Sequence, residues 1–228
     1  MITAVGVVIP AHNEEELLPA CLAALGRAAA ALRRVPVHLV VVADDCDDAT
    51  AQRAGEGGAA VVEVNERNVG SARDAGMREA LRRMGGLDPA STWLATTDAD
   101  SVVPPTWLVQ HVNYAERGWD AVVGTVTVLD WSEHPPGLPP IFLERYGASA
   151  GEHPHVHGAN LGFTGLAYNN AGGFAANKTA EDHALVDALE AAGSRILRTS
   201  EVSVVTSARL RARAPAGFSE LLASLDVS

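Results

Sequence analysis

Short β-branched runs alternate with longer segments whose apolar residues recur at spacings of three and four, and this alternation constrains the chain more than any other feature. A strand, a helical crossover and a second strand make a parallel pair with a helix on its face. Repetition of that unit gives an α/β domain with a mostly parallel sheet. Strands are predicted at Ala4–Ile9, Val37–Ala43, Ala60–Val64, Thr92–Thr97 and Ala121–Leu129. After the first, Asn13 with Glu16 three residues on has the form of an N-cap. Leu17, Leu18, Cys21, Leu22 and Leu25 then repeat as one buried face, with Cys21 a small core residue. Further helices are expected at Ala49–Ala54, from Asn68 or Ser71 to about Met84, and from Pro104-Pro105 to about Arg117, because proline suits a first turn whose N–H groups lack partners.

Beyond residue 130 the regularity weakens. Trp131–Pro140 carries four prolines and is expected to be an irregular loop. Ile141–Ser149 reads as a helix, Gly151–Gly158 as a histidine-rich turn, and Asn160–Phe163 as a short strand. Gly165–Ala171 and Glu181–Ala192 read as helices, and Val202–Thr206 as the last strand. The 228 residues suffice for one domain with a full core.

Charge narrows the function. With 17 basic against 28 acidic residues and a formal net charge of -11, the chain lacks the phosphate-neutralising surface that nucleic acid requires, so any anion site is local. No run approaches the roughly 18 apolar residues of a membrane span, so no transmembrane segment is expected. The opening MITAVGVVIP has neither a basic n-region nor a small-residue cleavage site and reads as a mature start. Two cysteines, Cys21 and Cys46, fit free thiols in a reducing cytoplasm.

Four segments concentrate chemistry. Asp98 and Asp100 stand two apart at a strand end, so both carboxylates leave on the same side. They make either an incomplete Mg²⁺ or Mn²⁺ site, completed by water and substrate phosphates, or a solvated acidic turn. Asp44-Asp45-Cys46-Asp47-Asp48 ends the second strand; Cys46 and Ala49 occupy places where an EF-hand needs a ligand and a glycine, which argues against calcium. A carboxylate there can accept from a base N–H or ribose hydroxyl, and Asp48 can also cap the next helix. Asn68-Val69-Gly70-Ser71-Ala72-Arg73 joins a cation to the free N–H groups of a helix start, which suits either a phosphate or an ordinary capped helix. Glu181-Asp182-His183 opens a late helix, where a carboxylate serves as a general base or as a dipole-favoured first-turn acid. His153, His155 and His157 alternate without the partners of a zinc site and read as a plain or substrate-contacting loop. Arg209, Arg211 and Arg213 form the one dense basic cluster, either a solvated tail or a flap over a diphosphate.

In order and spacing, these pieces resemble the GT-A glycosyltransferases of family 2. Val8-Ile9-Pro10-Ala11-His12-Asn13-Glu14 is similar to the family's opening strand and turn, and Val42 to Thr50 to its second-strand loop. Asn68, Gly70, Ala72, Arg73 and Gly76 match its NxGxARxxG helix start; Asp98 and Asp100 match DxD. Gly158-Ala159-Asn160 and Gly172-Gly173-Phe174 match acceptor-side elements, and Glu181-Asp182 the ED motif. The resemblance implies a single GT-A domain over 1–228, with a Rossmann-like, mostly parallel sheet flanked by helices. About 1–130 would bind the nucleotide-sugar and about 131–228 the acceptor.

It further implies a UDP- or GDP-linked sugar donor, a divalent cation (Mn²⁺ or Mg²⁺), and inverting transfer to an acceptor hydroxyl. Pro10, Ala11, Glu14 and Asp44 would contact the nucleoside, and Arg73 and Asp98 the ribose or diphosphate. Asp98 and Asp100 would hold the metal, Asn160 and Glu181 would contact substrate, Arg209 and Arg213 would cover the diphosphate, and Asp182 would be the catalytic base. Two departures stand out: Asp45 replaces a frequent glycine, and no histidine follows His183 to act as a late metal ligand. The alternatives are a sugar-phosphate nucleotidyltransferase, for which the acidic PAHNEEE loop is a poor triphosphate cradle, and a non-catalytic nucleotide-sugar binder.

Overall fold

The computed structural model describes residues 1–146 and 153–209. Seven strands, β1 (Ala4–Ala11), β2 (Val37–Asp44), β3 (Ala60–Val64), β4 (Thr92–Thr96), β5 (Ala121–Thr127), β6 (Leu161–Thr164) and β7 (Ile196–Val205), form one sheet in the order β3-β2-β1-β4-β6-β5-β7. Every pairing is parallel except those of β6, which runs antiparallel to both β4 and β5. The helices are α1 (Leu18–Ala31), α2 (Thr50–Glu56), α3 (Val69–Arg83), α4 (Trp107–Glu116), α5 (Leu138–Tyr146), α6 (Gly165–Ala171) and α7 (Glu181–Ala191).

β1 is buried along its length except at Pro10, as a continuous apolar strand covered on both faces must be. On one face Val5, Val7 and Ile9 meet Leu18 and Leu25 of α1 and Trp107 and Leu108 of α4. On the other, Val8, Val40 and Val42 meet Met77 of α3, with Phe163 and Leu185 in the same cluster. Gly76 sets how closely α3 approaches the sheet: a Cβ there would stand 2.3 Å from Val8 Cγ1 and 2.8 Å from Val42 Cγ2. That close seat carries Arg73, one turn earlier, to the carboxyl end of the strands.

Several expected boundaries move for identifiable reasons. Asn13 is not an N-cap: its φ is 54° and α1 starts at Leu18, with Pro19 in the first turn. Leu17 precedes the helix and is exposed. Asn13 and Glu15 instead zip the β1–α1 loop to the loop after β2. Asn13 Oδ1 accepts from the Asp47 N–H, and Glu15 Oε2 from the Ala49 N–H. Asp48 bonds the Thr50 N–H in a turn before α2. Pro104 and Pro105 precede α4, which begins at Trp107. Pro139 and Pro140 occupy the first turn of α5, so the expected irregular loop ends earlier than Pro140. β7 begins at Ile196 rather than Val202, extended by its pairing with β5. Asn68 does cap α3, its side chain accepting from the Ser71 N–H.

Candidate active site

β1, β2 and β4 lie side by side and point the same way, so their carboxyl ends open on one edge of the sheet, where ligands of open α/β sheets bind. A cavity of about 770 Å³ occupies this edge. Pro10, Ala11 and Glu14 line it from the end of β1, Asp44 from β2, Arg73 from α3, and Asp98 and Asp100 from the turn after β4. The segments His155–Ala159 and Lys178–His183 also line it, and Arg209 enters after β7.

Arg73 organises the centre. Its Nη2 lies 2.7 Å from Asp98 Oδ1 and its Nε 3.2 Å from Glu181 Oε1, while Nη1 donates to Thr96 Oγ1. Burial works against its charge, but Asp98 and Glu181 outweigh that and hold its pKa above the usual value. Glu181 is raised by its own burial, with Arg73 opposing the shift. One cation thereby joins the β4 turn to the start of α7.

The adjacent Asp182 is held by backbone. Oδ2 accepts from the Gly158 N–H at 2.8 Å and Oδ1 from the His183 N–H at 2.8 Å. The carboxylate is thus fixed on the cavity wall, without a side-chain cation of its own among the hydrogen bonds described. His157, beside it, is pushed down to about 4 by burial, so its ring is neutral near pH 7.

At the β4 turn, Arg209 Nη2 lies 2.9 Å from Asp100 Oδ2 and 2.7 Å from Glu14 Oε1. Burial pushes Asp100 up to about 6; Arg209 pulls the other way, and Asp98 and Glu14 add to the rise. Among the described residues no group of three His, Cys, Asp or Glu side chains is arranged to hold a metal by itself. Two hard carboxylates at a strand end nevertheless fit a Mg²⁺ or Mn²⁺ ion whose remaining ligands are water and phosphate oxygens. Asp98 and Asp100 are therefore the residues suited to such an ion.

The structure gathers most of the residues singled out from the sequence. Pro10, Ala11, Glu14, Asp44, Arg73, Asp98, Asp100, Glu181, Asp182 and Arg209 all line the cavity. Asn160 does not: it is fully buried, accepting from Trp107 Nε1 and donating to the carbonyls of Thr125 and Val202. Its role is to tie α4, β5 and β7 together, which corrects the expectation of substrate contact. Asp44 is largely committed as well. Oδ1 accepts from the Glu66 and Arg67 N–H groups and Oδ2 from the Asn68 N–H, so the carboxylate shapes the loop into α3. Arg211 and Arg213 lie outside the described residues. Cys21 is buried, its thiol pushed up strongly by desolvation. His153 is buried against the Val123 carbonyl, whereas His155 and His157 reach the cavity.

The sequence reading missed His12, Arg67 and Lys178 on the cavity wall. His12 Nδ1 is 2.7 Å from the Asp44 carbonyl, and Arg67 pairs with Asp45. Lys178 carried a signal that composition alone made available: it is the chain's sole lysine.

The comparisons agree with this geometry. A curated relative, the undecaprenyl-phosphate 4-deoxy-4-formamido-L-arabinose transferase of Pectobacterium atrosepticum, is 34% identical over 131 residues, covering 54% of this chain and 36% of its own length. The chain thus spans little more than a third of that relative. Among solved structures, Staphylococcus aureus TarS 1-349 in complex with UDP-GlcNAc superposes with a TM-score of 0.68 at 15% identity, over 93% of this chain and 60% of that one. The mannosyltransferase PcManGT of Pyrobaculum calidifontis, in complex with GDP-Man and Mn²⁺, superposes with a TM-score of 0.63 at 21% identity, over 92% of this chain and 58% of that one. These likenesses establish the fold as the GT-A type. The profile of glycosyl transferase family 2 matches residues 6–177, from β1 to the residue before Lys178, and the chain belongs to that family.

Proposed function

We propose that the chain transfers a sugar from a UDP- or GDP-linked donor to an acceptor hydroxyl, with inversion and with a divalent cation. The observation that carries this reading is that Asp98, Asp100, Arg73 and Asp182 line one cavity, with Arg73 paired to Asp98 and Asp182 held by the Gly158 N–H. An in-line displacement needs a base behind the acceptor oxygen and positive charge behind the leaving diphosphate.

In this reading Pro10, Ala11 and the Asp44-shaped loop seat the nucleoside. Asp98 and Asp100 would hold the cation, which when bound neutralises charge on the leaving diphosphate. Arg73 holds Asp98 in place. Asp182 takes the acceptor's proton, its two N–H donors fixing the direction from which it does so. The nucleotide-sugar complexes of TarS and PcManGT support the donor class, and the latter's Mn²⁺ supports the cation.

A second reading of the acceptor rests on Lys178, His155, His157 and His183, which share the acceptor wall. Such a wall suits an acceptor bearing phosphate, as in the undecaprenyl-phosphate of the curated relatives' name. An ionised phosphate oxygen attacks without losing a proton, so Asp182 would not be needed as a base.

The test is a thermal-shift panel of UDP and GDP with and without Mn²⁺, followed by nucleoside diphosphate release with alcohol and lipid-phosphate acceptors. A ligand at about 100 times its dissociation constant adds roughly 2.7 kcal/mol of stability. Calorimetry on Asp100→Ala completes it: the metal-dependent part of nucleotide affinity disappears if the donor assignment is right, and persists if it is wrong.

A further inference from the structure

Arg209 joins the end of β7 to the β1 and β4 sides of the cavity, through Glu14 and Asp100. Its backbone follows β7, and the segment before it is anchored across the β4 turn. Val102 and Val205 exchange backbone hydrogen bonds, Ser101 Oγ donates to Thr206 Oγ1 at 3.0 Å, and the Thr206 N–H reaches the Thr127 carbonyl. From this anchor the guanidinium lies on Glu14 with both Nη atoms, at 3.0 and 2.7 Å, and on Asp100 at 2.9 Å. Glu14 is 5% exposed and Asp100 11% at the side chain, so the pairing is shielded from solvent and weakly screened.

We propose that Arg209 is an internal counter-cation that keeps a divalent metal off Asp100 until the donor's diphosphate arrives. This rests on the donor and metal reading given above. A guanidinium 2.9 Å from Asp100 Oδ2 stands against the carboxylate proposed to hold the ion, and two cations beside one buried carboxylate repel strongly. A bare metal must therefore displace Arg209 from Asp100 and leave the guanidinium on Glu14 alone, still close to the ion. A metal that comes with a diphosphate brings the anion that Arg209 can take instead, because a guanidinium's planar fork matches phosphate oxygens as well as carboxylates. Arg209 then passes from Asp100 to the diphosphate in the same event that seats the metal. The consequence is thermodynamic: metal and nucleotide bind cooperatively, each raising the affinity of the other by the same factor.

Arg73 offers no such exchange. It is 3% exposed, held by Thr96, Asp98 and Glu181 at once, and has no route to turn away. Arg209 is 23% exposed and lines the cavity on its open side.

The experiment titrates Mn²⁺ alone, by calorimetry or by electron paramagnetic resonance of the free ion, into the full-length wild type, Arg209→Ala and Arg209→Lys. Each titration is repeated with saturating UDP and with saturating GDP, and Arg209→Gln replaces Arg209→Ala if the latter does not fold. Arg209→Ala is expected to bind Mn²⁺ alone on the order of tenfold more tightly than wild type, and the coupling between Mn²⁺ and nucleotide should shrink by a similar factor. Arg209→Lys, which keeps the charge, should stay near wild type. Mn²⁺ affinity without nucleotide that is unchanged or weaker in the neutral variant overturns the counter-cation role, while nucleotide-dependent Mn²⁺ binding in the wild type leaves the donor site standing. A wild type that binds no Mn²⁺ with either nucleotide overturns both.

Discussion

The N–H of Gly158 donates to Asp182 Oδ2 at 2.8 Å, and the missing side chain of the same glycine is what leaves room for Arg73. A Cβ on residue 158 would stand 2.3 Å from Arg73 Nη2 and 2.7 Å from Cζ. One residue in the short turn Gly158–Asn160 therefore sets both the Asp182 carboxylate and the Arg73 cation.

Gly158→Ala should push the guanidinium off Asp98 and disturb Asp182 together. Overpacking of this kind costs about 1 to 3 kcal/mol of stability. Urea unfolding and steady-state kinetics should show a folded but weakened protein whose turnover falls more than its nucleotide affinity. Wild-type turnover would mean that the Arg73 position is not needed.

Asp182→Asn keeps the shape of the side chain but cannot take a proton. If the acceptor is a hydroxyl, turnover should drop by about 10² to 10⁴ with donor binding nearly intact. Near-normal transfer to a lipid phosphate would instead favour the phosphate acceptor, and loss of nucleotide affinity would place Asp182 on the donor side.

Asp44→Ala removes an acceptor from three backbone N–H groups of the β3–α3 loop. The expected result is lower stability, by about 1 to 3 kcal/mol, together with weaker nucleoside binding. Chemical denaturation and UDP or GDP calorimetry read the two effects separately; weakened binding at unchanged stability would show that the carboxylate acts on the ligand and not through the loop.

Asn160→Ala leaves the Trp107 indole N–H and two carbonyls without their partner in the core. Stability should fall by about 1 to 3 kcal/mol per group left unsatisfied, offset where a water enters. Nucleotide affinity measured below the unfolding midpoint should stay close to wild type, because the side chain does not reach the cavity.

His111 governs part of the acid response. It is fully buried, between Trp93 and Trp107 at ring separations of 5.7 and 4.9 Å, and burial pushes its pKa from 6.5 down to about 3. The folded state thus resists a proton that the unfolded chain takes up. The contribution is fully present above pH 6.5 and is lost as pH falls from there toward 3, at about 1.4 kcal/mol per pH unit. His111→Phe should flatten the decline of unfolding free energy between pH 6.5 and 4, and an unchanged slope in that window would assign the acid sensitivity to other groups.

The order of strands and helices was legible in the sequence because it depends on local periodicity. β3 and α6 fall on their expected residues, whereas the Asp98-Asp100 pair lies in a turn past β4 and not in the extended segment expected for it. The cavity's location followed from the same pattern, since parallel strands put their carboxyl ends on one edge. What the tertiary structure alone decided is which partner each polar group takes. Glu181 could have been a first-turn acid or a substrate contact, and it is the buried partner of Arg73, 108 residues away in sequence. Asn160 carries the same amide whether it faces substrate or core, and the packing of α4 against the sheet put it in the core. Arg209 meets Glu14 across 195 residues. No local rule reaches such separations: the choice among several carboxylates for one guanidinium is made by the close packing of the sheet and its helices, which fixes the distances between charges that the sequence only enumerates.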